Sequence, residues 1–228
     1  MELVFNKGYI CSGCNGHFRK RDASFIYKRS CICKTCYSRF MPYSKDMYHE
    51  ERDGMSFMTA LFRYREPYRK IFLEFKFNGQ IAAGHLIGMA MEELINERDA
   101  FYDYQYLVPV PISKERMNER GYNQSEILAQ YVARGLGIPM RDIMIRVRNS
   151  LPQSRIMNHK RAENVKNAFD VTEKLNGENI ILFDDVYTTG STAMECVNVL
   201  HNAGAGKVCV VAGAYNAPVY VDRTFYLN

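Results

Sequence analysis

An unbroken run of apolar residues, Ile180–Phe183, ends directly in two acids, Asp184 and Asp185. Apolar runs that lack the alternation of a half-exposed strand are typical of strands buried on both faces of a parallel sheet. A second apolar run occupies residues 208–214. We therefore predict two strands of an α/β sheet. The two acids then lie at the carboxyl end of the first strand, where open α/β sheets bind their ligands.

The segment between these runs has the pattern of an amphipathic helix. Met194, Val197 and Leu200 recur at helical spacing within residues 193–201. Gly204 follows where the end of a helix needs a residue in the left-handed conformation. The whole region is predicted to form a strand–loop–helix–strand unit.

The remaining elements are predicted from weaker signals. Residues 55–100 are interpreted as helices and a connector, because six apolar positions have roughly helical spacing: Leu61, Tyr64, Tyr68, Ile71, Phe72 and Phe75. Tyr106–Pro111 is predicted to be a short strand, since prolines suit the end of a strand better than its centre. A helix is predicted over residues 125–136, ended by Gly137 and Pro139. The polar run 44–53 is predicted to be a linker.

Five of the seven cysteines lie before residue 37, and four of them form two Cys-x2-Cys knuckles separated by eighteen residues. This spacing, of Cys11 and Cys14 with Cys33 and Cys36, matches a tetrahedral zinc site. Four thiolates leave no open position on the ion, so the predicted Zn²⁺ is structural. Cys31 and His17 are alternative ligands.

Disulfide bonds are the other chemistry open to these cysteines. The first seven residues lack the basic start and the long apolar core of a secretory signal. We therefore expect a cytoplasmic protein, and a reducing compartment favours a metal over disulfides. No apolar run approaches the length of a membrane span. Cys196 and Cys209 lie within the predicted helix and strand and are interpreted as small buried apolar residues.

Charge is distributed unevenly along the chain. Residues 1–45 hold nine Lys and Arg against two Asp and Glu, a net charge of +7, whereas the remainder holds 21 against 23, a net charge of −2. Aromatic and basic residues interleave in this front segment: Phe18, Phe25, Tyr27, Tyr37, Phe40 and Tyr43 with Arg19, Lys20, Arg21, Lys28, Arg29 and Arg39. This pattern suits single-stranded nucleic acid, through stacked bases and paired phosphates. The alternative is that the rings fill a small core around the metal and the charges keep it soluble.

The turn after the two acids has the groups that bind a phosphate. Residues 188–192 offer successive backbone N–H groups, three threonine hydroxyls and one serine hydroxyl at the start of the predicted helix. Gly190 lets the backbone approach an anion closely. Asp184 and Asp185 only accept hydrogen bonds, which suits the vicinal hydroxyls of a sugar. Together they predict a site for a phosphorylated ribose. A plain turn whose aspartates cap the helix is the simpler alternative, but it leaves most of these polar groups unexplained.

Two other phosphate motifs do not fit the sequence. No Gly-x4-Gly-Lys-Ser/Thr is present, and the glycines of residues 204–207 follow the predicted helix instead of preceding it. No Gly-x-Gly-x-x-Gly follows a predicted strand. Nucleotide-hydrolysing P-loops and dinucleotide-binding sites are therefore not expected.

The acid pair and its turn resemble the phosphoribosyl diphosphate (PRPP) motif of type I phosphoribosyltransferases. The resemblance implies that Asp184 and Asp185 hold the ribose 2′ and 3′ hydroxyls. It implies that Thr188, Thr189, Gly190, Ser191 and Thr192 hold the 5′-phosphate, and that Mg²⁺ accompanies PRPP. Purine-salvage members have an aspartate where Thr188 stands, so purine salvage is not expected. No catalytic residue is assigned.

Two further parts of the site are assigned by the same resemblance. The loop after the earlier strand contacts pyrophosphate, through Lys114 and Arg116. A mobile hood falls on residues 148–164, with Gln153 and Arg161 as its contacts. Three other basic residues in this part of the chain are interpreted as surface charges: Arg141, Arg146 and Arg155.

Over nearly its whole length the chain resembles the ComF family of competence proteins. The matching features are the two knuckles, Phe75–Gly79, Val108–Pro111, Arg116, Arg120–Gln124, Gln153, Arg161, Asn164, Ala168, Phe169 and the acid pair with its turn. The resemblance implies an α/β fold with a mostly parallel, type I phosphoribosyltransferase-like sheet flanked by helices. It divides the chain into a four-cysteine zinc-finger module, residues 1–45, and a phosphoribosyltransferase-like domain, residues 46–228.

The family resemblance also implies a function. It is the cytoplasmic handling of incoming single-stranded DNA in natural transformation, with a helicase-like partner protein and with PRPP bound. One alternative is an active Mg²⁺-dependent phosphoribosyltransferase that acts on an unknown nitrogenous acceptor. Another is a sensor that binds PRPP without transferring its ribosyl group.

Overall fold

The computed structural model describes residues 8–28, 30–40, 50–52, 54–95, 99–148 and 166–216. The strands are β1 (Tyr9–Ile10), β2 (His17–Phe18), β3 (Ala23–Tyr27), β4 (Ser30–Cys33), β5 (Glu50–Arg52), β6 (Met55–Arg63), β7 (Tyr106–Pro109), β8 (Met144–Arg146), β9 (Phe169–Val171), β10 (Ile180–Tyr187) and β11 (Val208–Tyr215). The helices are α1 (Lys34–Tyr37), α2 (Tyr68–Phe77), α3 (Ile81–Ile95), α4 (Lys114–Arg120), α5 (Gln124–Leu136) and α6 (Ser191–Asn202).

The central sheet has five strands in the order β5-β6-β11-β10-β7. Four of them, β6, β11, β10 and β7, run parallel, and β5 adds an antiparallel edge to β6. Ile180 at the start of β10 pairs with Val208 on one side and with Tyr106 on the other. The predicted fold class, a mostly parallel α/β sheet with a small cysteine module, is confirmed.

Both faces of β10 are buried, as its unbroken apolar run predicts. Ile181 and Phe183 belong to the core that the sheet forms with α2, α3 and α5. Ile180 and Leu182 point to the opposite face, into a core shared with α6. The predicted helix and second strand are present as α6 and β11, and Gly204 has a positive φ of 104°.

The interpretation of residues 55–100 as helices and a connector is wrong for its first part. Met55–Arg63 is strand β6, and helix α2 begins only at Tyr68. Strand β6 lies between β5 and β11, and residues 58–62 are buried. A strand buried on both faces carries a nearly continuous apolar run, which periodicity cannot separate from a buried helix. Within the predicted linker 44–53, Glu50–Arg52 forms β5, and the positions 44–49 and 53 lie outside the described residues.

Close contacts between helices depend on two glycines of α3. A Cβ atom at Gly84 would lie 2.4 Å from the ring of Phe75 in α2, and one at Gly88 would lie 2.2 Å from the ring of Tyr131 in α5. Such distances are far inside van der Waals contact, so only glycine allows α2 and α5 to pack this closely on α3.

The cysteine module consists of two hairpins, β1–β2 and β3–β4, and the short helix α1. It packs against the α/β domain. The ring of Tyr27 lies 4.1 Å from the ring of His85 in α3, and the ring of Phe40 lies 5.4 Å from that of Phe62 in β6. Cys11, Cys36 and Phe40 belong to the same core as α2, α3 and α5. The proposed boundary at residue 45 lies outside the described residues.

Among the residues that the structure describes, no helix combines the length and apolar character needed to cross a bilayer.

Candidate functional site

A cavity of about 230 Å³ lies at the carboxyl ends of β7 and β10. Its lining includes Asp184, Asp185 and the whole turn 188–192. Four cationic side chains also line it: Lys76, Arg116, Arg120 and Arg146. The acids and the turn come from the last residues of β10 and the loop before α6, whereas the cations come from α2, α4 and β8. The fold thus brings together polar groups that are far apart in the sequence.

The two acids are adjacent in sequence but lie in different environments. Asp184 is buried, and its Oδ1 accepts a hydrogen bond of 2.9 Å from the backbone N–H of Asp185. Asp185 Oδ2 accepts from Lys76 Nζ at 2.9 Å, with only 21% of the lysine side chain and 15% of the aspartate side chain exposed. Because the ion pair is shielded from water, its attraction is much stronger than that of a surface pair.

This arrangement separates the titration of the two acids. Burial, followed by the negative charge of Asp185, raises the pKa of Asp184 to about 8. Burial opposes ionisation of Asp185 as well, but the charge of Lys76 and its hydrogen bond prevail and lower the pKa of Asp185. At neutral pH the pair therefore holds one proton, on Asp184, and one negative charge, on Asp185.

The turn after the acids is shaped for an anion. Gly190 has a φ of 77°, in the left-handed region, and stands at the N-cap of the 12-residue helix α6. Thr189 Oγ1 and Ser191 Oγ lie 3.0 Å apart, so the two hydroxyls are already next to each other at the helix start. The backbone N–H groups at a helix N-terminus and the helix dipole both favour a negatively charged ligand.

The cations differ in part from those that the sequence predicted. Arg116 lines the cavity, and its backbone N–H is held by the side chain of Ser113 at 3.3 Å. Lys114, two residues earlier on α4, is exposed and is not among the lining residues. Gln153, Arg155 and Arg161 lie outside the described residues, as does the predicted hood apart from Arg148.

The interpretation of Arg146 as a surface charge is wrong. Arg146 lines the cavity from β8, and burial together with the charge of Arg116 lowers its pKa. Arg141, interpreted in the same way, forms an ion pair with Glu173 and does not line the cavity. The sequence does not distinguish Arg146 from Arg141, because each arginine directly follows an apolar residue near β8.

Two cations of the cavity had no predicted role, although both lie in segments of the family resemblance. Lys76 lies within Phe75–Gly79, and Arg120 begins Arg120–Gln124. Arg120 Nη1 donates to Gln124 Oε1 at 2.8 Å, which fixes the guanidinium at the end of α4. Burial, with the charge of Arg116, lowers the pKa of Arg120. Because these cations repel one another, a bound polyanion would stabilise the cluster.

The cysteines of the two knuckles converge on one point. The Sγ atoms of Cys11, Cys14, Cys33 and Cys36 all lie within 4.8 Å of one another, so they can hold a metal ion. A tetrahedral zinc centre with Zn–S bonds of about 2.3 Å places its sulfurs about 3.8 Å apart, which this cluster reaches with small shifts. Cys31 is not part of the cluster: its Sγ donates to the Ile10 carbonyl at 2.9 Å, and burial raises its pKa to about 11.

Backbone N–H groups also point at the knuckle sulfurs. Cys11 Sγ accepts from Gly13 N at 3.3 Å and from Cys33 N at 3.4 Å, and Cys33 Sγ accepts from Cys36 N at 3.4 Å. These contacts stabilise negative charge on sulfur. A Cβ atom at Gly13 would lie 2.9 Å from Cys36 Sγ, so glycine is needed between the first two cysteines.

Several aromatic rings of the module are used in packing. Phe25 meets Tyr37 edge to face at 5.0 Å, and Tyr37 meets Phe40 at 5.8 Å. Tyr27 lies on His85, and Phe18 lies against Tyr9. These contacts favour the small-core alternative for the described rings over base stacking. Tyr43 lies outside the described residues.

The buried acid leads to a prediction for the effect of pH on stability. The folded protein keeps a proton on Asp184 that the unfolded chain loses near pH 4, so burial of this acid lowers the free energy of unfolding as the pH rises from about 4 to about 8. Asp184→Asn removes this dependence. We expect the variant to gain stability relative to the wild type, on the order of a few kcal/mol at pH 9 and little at pH 4.

Urea unfolding at several pH values measures the difference. Asp170→Asn, on the exposed side of β9, is the matched control and should leave the pH profile of the wild type unchanged. Parallel profiles for the wild type and Asp184→Asn would contradict a buried, protonated Asp184.

No protein-family model matches the chain. "Competence protein F" of Haemophilus influenzae is 30% identical over 219 residues, which cover 91% of this chain and 91% of that protein. "DNA utilization protein YhgH" of Salmonella typhimurium is 34% identical over 140 residues, 60% of this chain and 62% of that protein.

Among solved structures, the chain resembles a glutamine PRPP amidotransferase from B. subtilis, with a TM-score of 0.43 and 18% identity over 62% of this chain and 30% of that chain. The sequence match to the Haemophilus protein spans nearly the full length of both chains. The chain therefore belongs to the ComF family of competence proteins.

Proposed function

We propose that the chain is a cytoplasmic competence protein that acts in DNA uptake during natural transformation. In this proposal it binds PRPP with Mg²⁺ in the cavity, binds single-stranded DNA, and acts beside a helicase-like partner protein. The observation that carries the proposal is the meeting of the acid pair, the turn 188–192 and four cations in one cavity. The names of the relatives, a competence protein and a DNA utilization protein, support the link to DNA.

Each part of PRPP has a complementary group in the cavity. Asp184 and Asp185 accept hydrogen bonds from the ribose hydroxyls, and the turn 188–192 surrounds the 5′-phosphate. Arg116 contacts the diphosphate, joined by Lys76 and Arg120; Lys114, exposed at the first position of α4, remains a proposed contact of the same group. Four cations against one ionised acid give the cavity a positive charge, which suits a ligand with three phosphoryl groups.

Mg²⁺ fits the same cavity as a companion of PRPP. In proteins this ion is bound through one or two carboxylates together with substrate phosphates, and it keeps several waters. Asp184 and Asp185 are the carboxylates among the described residues that line the cavity. The ion would neutralise part of the diphosphate charge.

PRPP binding is tested by calorimetry with Mg²⁺. The wild type should bind, and Asp184→Asn combined with Asp185→Asn should bind at least about ten-fold more weakly, because losing the ribose contact to the ionised Asp185 alone removes about 1.5–3 kcal/mol. Asp170→Asn is the control and should bind as the wild type does. Absence of heat with the wild type, or equal affinity in the double variant, would exclude this site.

Transfer of the ribosyl group is the alternative function. The cluster of Lys76, Arg116 and Arg120 favours it, since these cations would stabilise departing pyrophosphate. A panel of nitrogenous bases and amines is added to the protein with PRPP and Mg²⁺, and the release of pyrophosphate distinguishes the two functions. Acceptor-dependent release of pyrophosphate would make the protein a phosphoribosyltransferase, and binding without release would leave PRPP as a ligand.

We propose further that the cysteine cluster holds a structural Zn²⁺. We also propose that the chain has two domains, residues 1–45 and residues 46–228. The thiolates occupy all four positions of a tetrahedral ion, so the metal would stabilise the module and take no part in chemistry.

Metal content tests the ligand set. Purified wild type should contain about one zinc per chain, and Cys14→Ser should lose it and unfold at lower temperature, because three thiolates hold the ion more weakly. Cys31→Ser is the matched control, since Cys31 lies beside the cluster but bonds to a backbone carbonyl. It should retain zinc. Loss of zinc in Cys31→Ser and retention in Cys14→Ser would reverse the assignment.

Single-stranded DNA binding is tested by its dependence on salt. Each phosphate contact contributes about −0.7 to the slope of log affinity against log salt for single strands. Arg19, Lys20 and Arg21 are exposed on the module. Their joint replacement by alanine should reduce the magnitude of the slope by about 2. Lys174→Ala, at an exposed position far along the chain, is the control. If the wild type does not bind single-stranded DNA, or binds it with an affinity that does not depend on salt, DNA binding is not part of the function.

A further inference from the structure

Binding of single-stranded DNA without strong sequence preference combines cations for the phosphates with exposed rings for the bases. In the cysteine module the described rings pack among themselves, on α3 or on β6. Elsewhere in the described residues, two aromatic side chains are largely exposed: Phe77, at 64%, and Tyr102, at 85%. Their surroundings have opposite charge.

Tyr102 is flanked by acids. Asp99 and Asp103 lie three residues before it and one residue after it, and both are exposed; Asp103 forms an ion pair with Lys207 at 3.5 Å. Two acids and one cation give this site no excess of positive charge, so it does not attract a phosphate backbone. Exposure alone therefore does not make Tyr102 a platform for a nucleic acid.

Phe77 lies beside the cationic cavity. The guanidinium of Arg120 lies 5.3 Å from the centre of its ring, and Arg120 also lines the cavity. The preceding residue, Lys76, lines the same cavity. The ring thus contacts a cation that lines the cavity, although Phe77 itself is not among the lining residues. Met117, one turn before Arg120 on α4, adds a further exposed apolar side chain, at 40%.

The end of α2 that carries Phe77 is held rigidly. Phe77 is the last residue of α2, and two residues earlier the ring of Phe75 stacks on Tyr122 at 5.3 Å with an angle of 17° between the planes. The hydroxyl of Tyr122 donates to the carbonyl of Phe75. Because the end of α2 is fixed in this way, Phe77 loses little conformational freedom when a partner stacks on it.

We propose that Phe77 is a stacking platform for a base of single-stranded DNA beside the cavity, with Arg120 beside the ring and near the adjoining phosphate. This inference rests on the proposed binding of single-stranded DNA. An open ring beside cations suits a continuous strand, whose neighbouring nucleotides extend past the ring. A free base would need an enclosing pocket, and the cavity is lined mainly by charged and hydroxyl groups.

The chain contains no tryptophan, so Phe77→Trp creates a single fluorescent reporter at this point. Binding of an oligothymidylate, followed separately by fluorescence anisotropy of a labelled strand, should quench the tryptophan emission as the base stacks on it. Tyr102→Trp is the matched control, and its emission should not change. Phe77→Ala should weaken strand binding about ten-fold with an unchanged salt slope, whereas Tyr102→Ala should bind as the wild type does.

The outcomes separate this inference from the function on which it rests. Strand binding without quenching at residue 77, or with equal quenching at residue 102, overturns the platform and leaves DNA binding in place. Absence of strand binding by the wild type overturns both. Equal quenching by thymidine monophosphate at the same concentration of nucleotide assigns the ring to a small ligand and overturns the DNA assignment. PRPP affinity in each variant, measured by calorimetry, shows that the cavity is intact.

Discussion

The ion pair of Lys76 and Asp185 is the contact on which the cavity depends. Strand β10 carries two neighbouring carboxylates out of a sheet that is buried on both faces, and two adjacent charges in such surroundings repel each other strongly. The repulsion is resolved by giving the acids different partners. Asp185 keeps its charge beside Lys76, while Asp184 keeps its proton and the backbone N–H of Asp185. The cavity then holds hydrogen-bond acceptors without a double negative charge, which would repel the phosphates of the proposed ligand.

The sequence predicted the parts of this site that are local in the chain. The acids, the turn and α6 are contiguous, so their order fixes their geometry once the strand is recognised. The cysteine cluster was likewise predictable from spacing alone, because two short knuckles leave few arrangements open to their sulfurs. Strand β6 was misread because a fully buried strand lacks the alternation that identifies strands. The ligand assignments remain predictions, since they depend on what binds.

The cations could not be predicted with the same certainty. Lys76 reaches Asp185 across 109 positions of sequence, and no local pattern distinguishes it from a lysine on the exposed side of a helix. Arg146 and Arg141 have similar neighbours in sequence, yet one lines the cavity and the other pairs with Glu173. Arg146 lies on β8, where it pairs with Phe169 of β9, whereas Arg141 precedes the strand, which begins at Met144. Which arginine lines the cavity is therefore decided by tertiary packing. Successive side chains of a strand point to opposite faces, so a shift of one residue would turn a side chain away from the site.

Helix α2 connects the two parts of the molecule that the sequence treats as separate. Near its start, Lys70 Nζ donates to the Gly13 carbonyl at 3.0 Å, within the first cysteine knuckle. Six residues later Lys76 holds Asp185, and the next residue, Phe77, has its ring 5.3 Å from the guanidinium of Arg120. A rigid helix of ten residues spans about 15 Å, so its two ends cannot shift independently. The fold of the cysteine module, the charge state of the acid pair and the exposed ring of Phe77 are therefore tied to the position of one short helix.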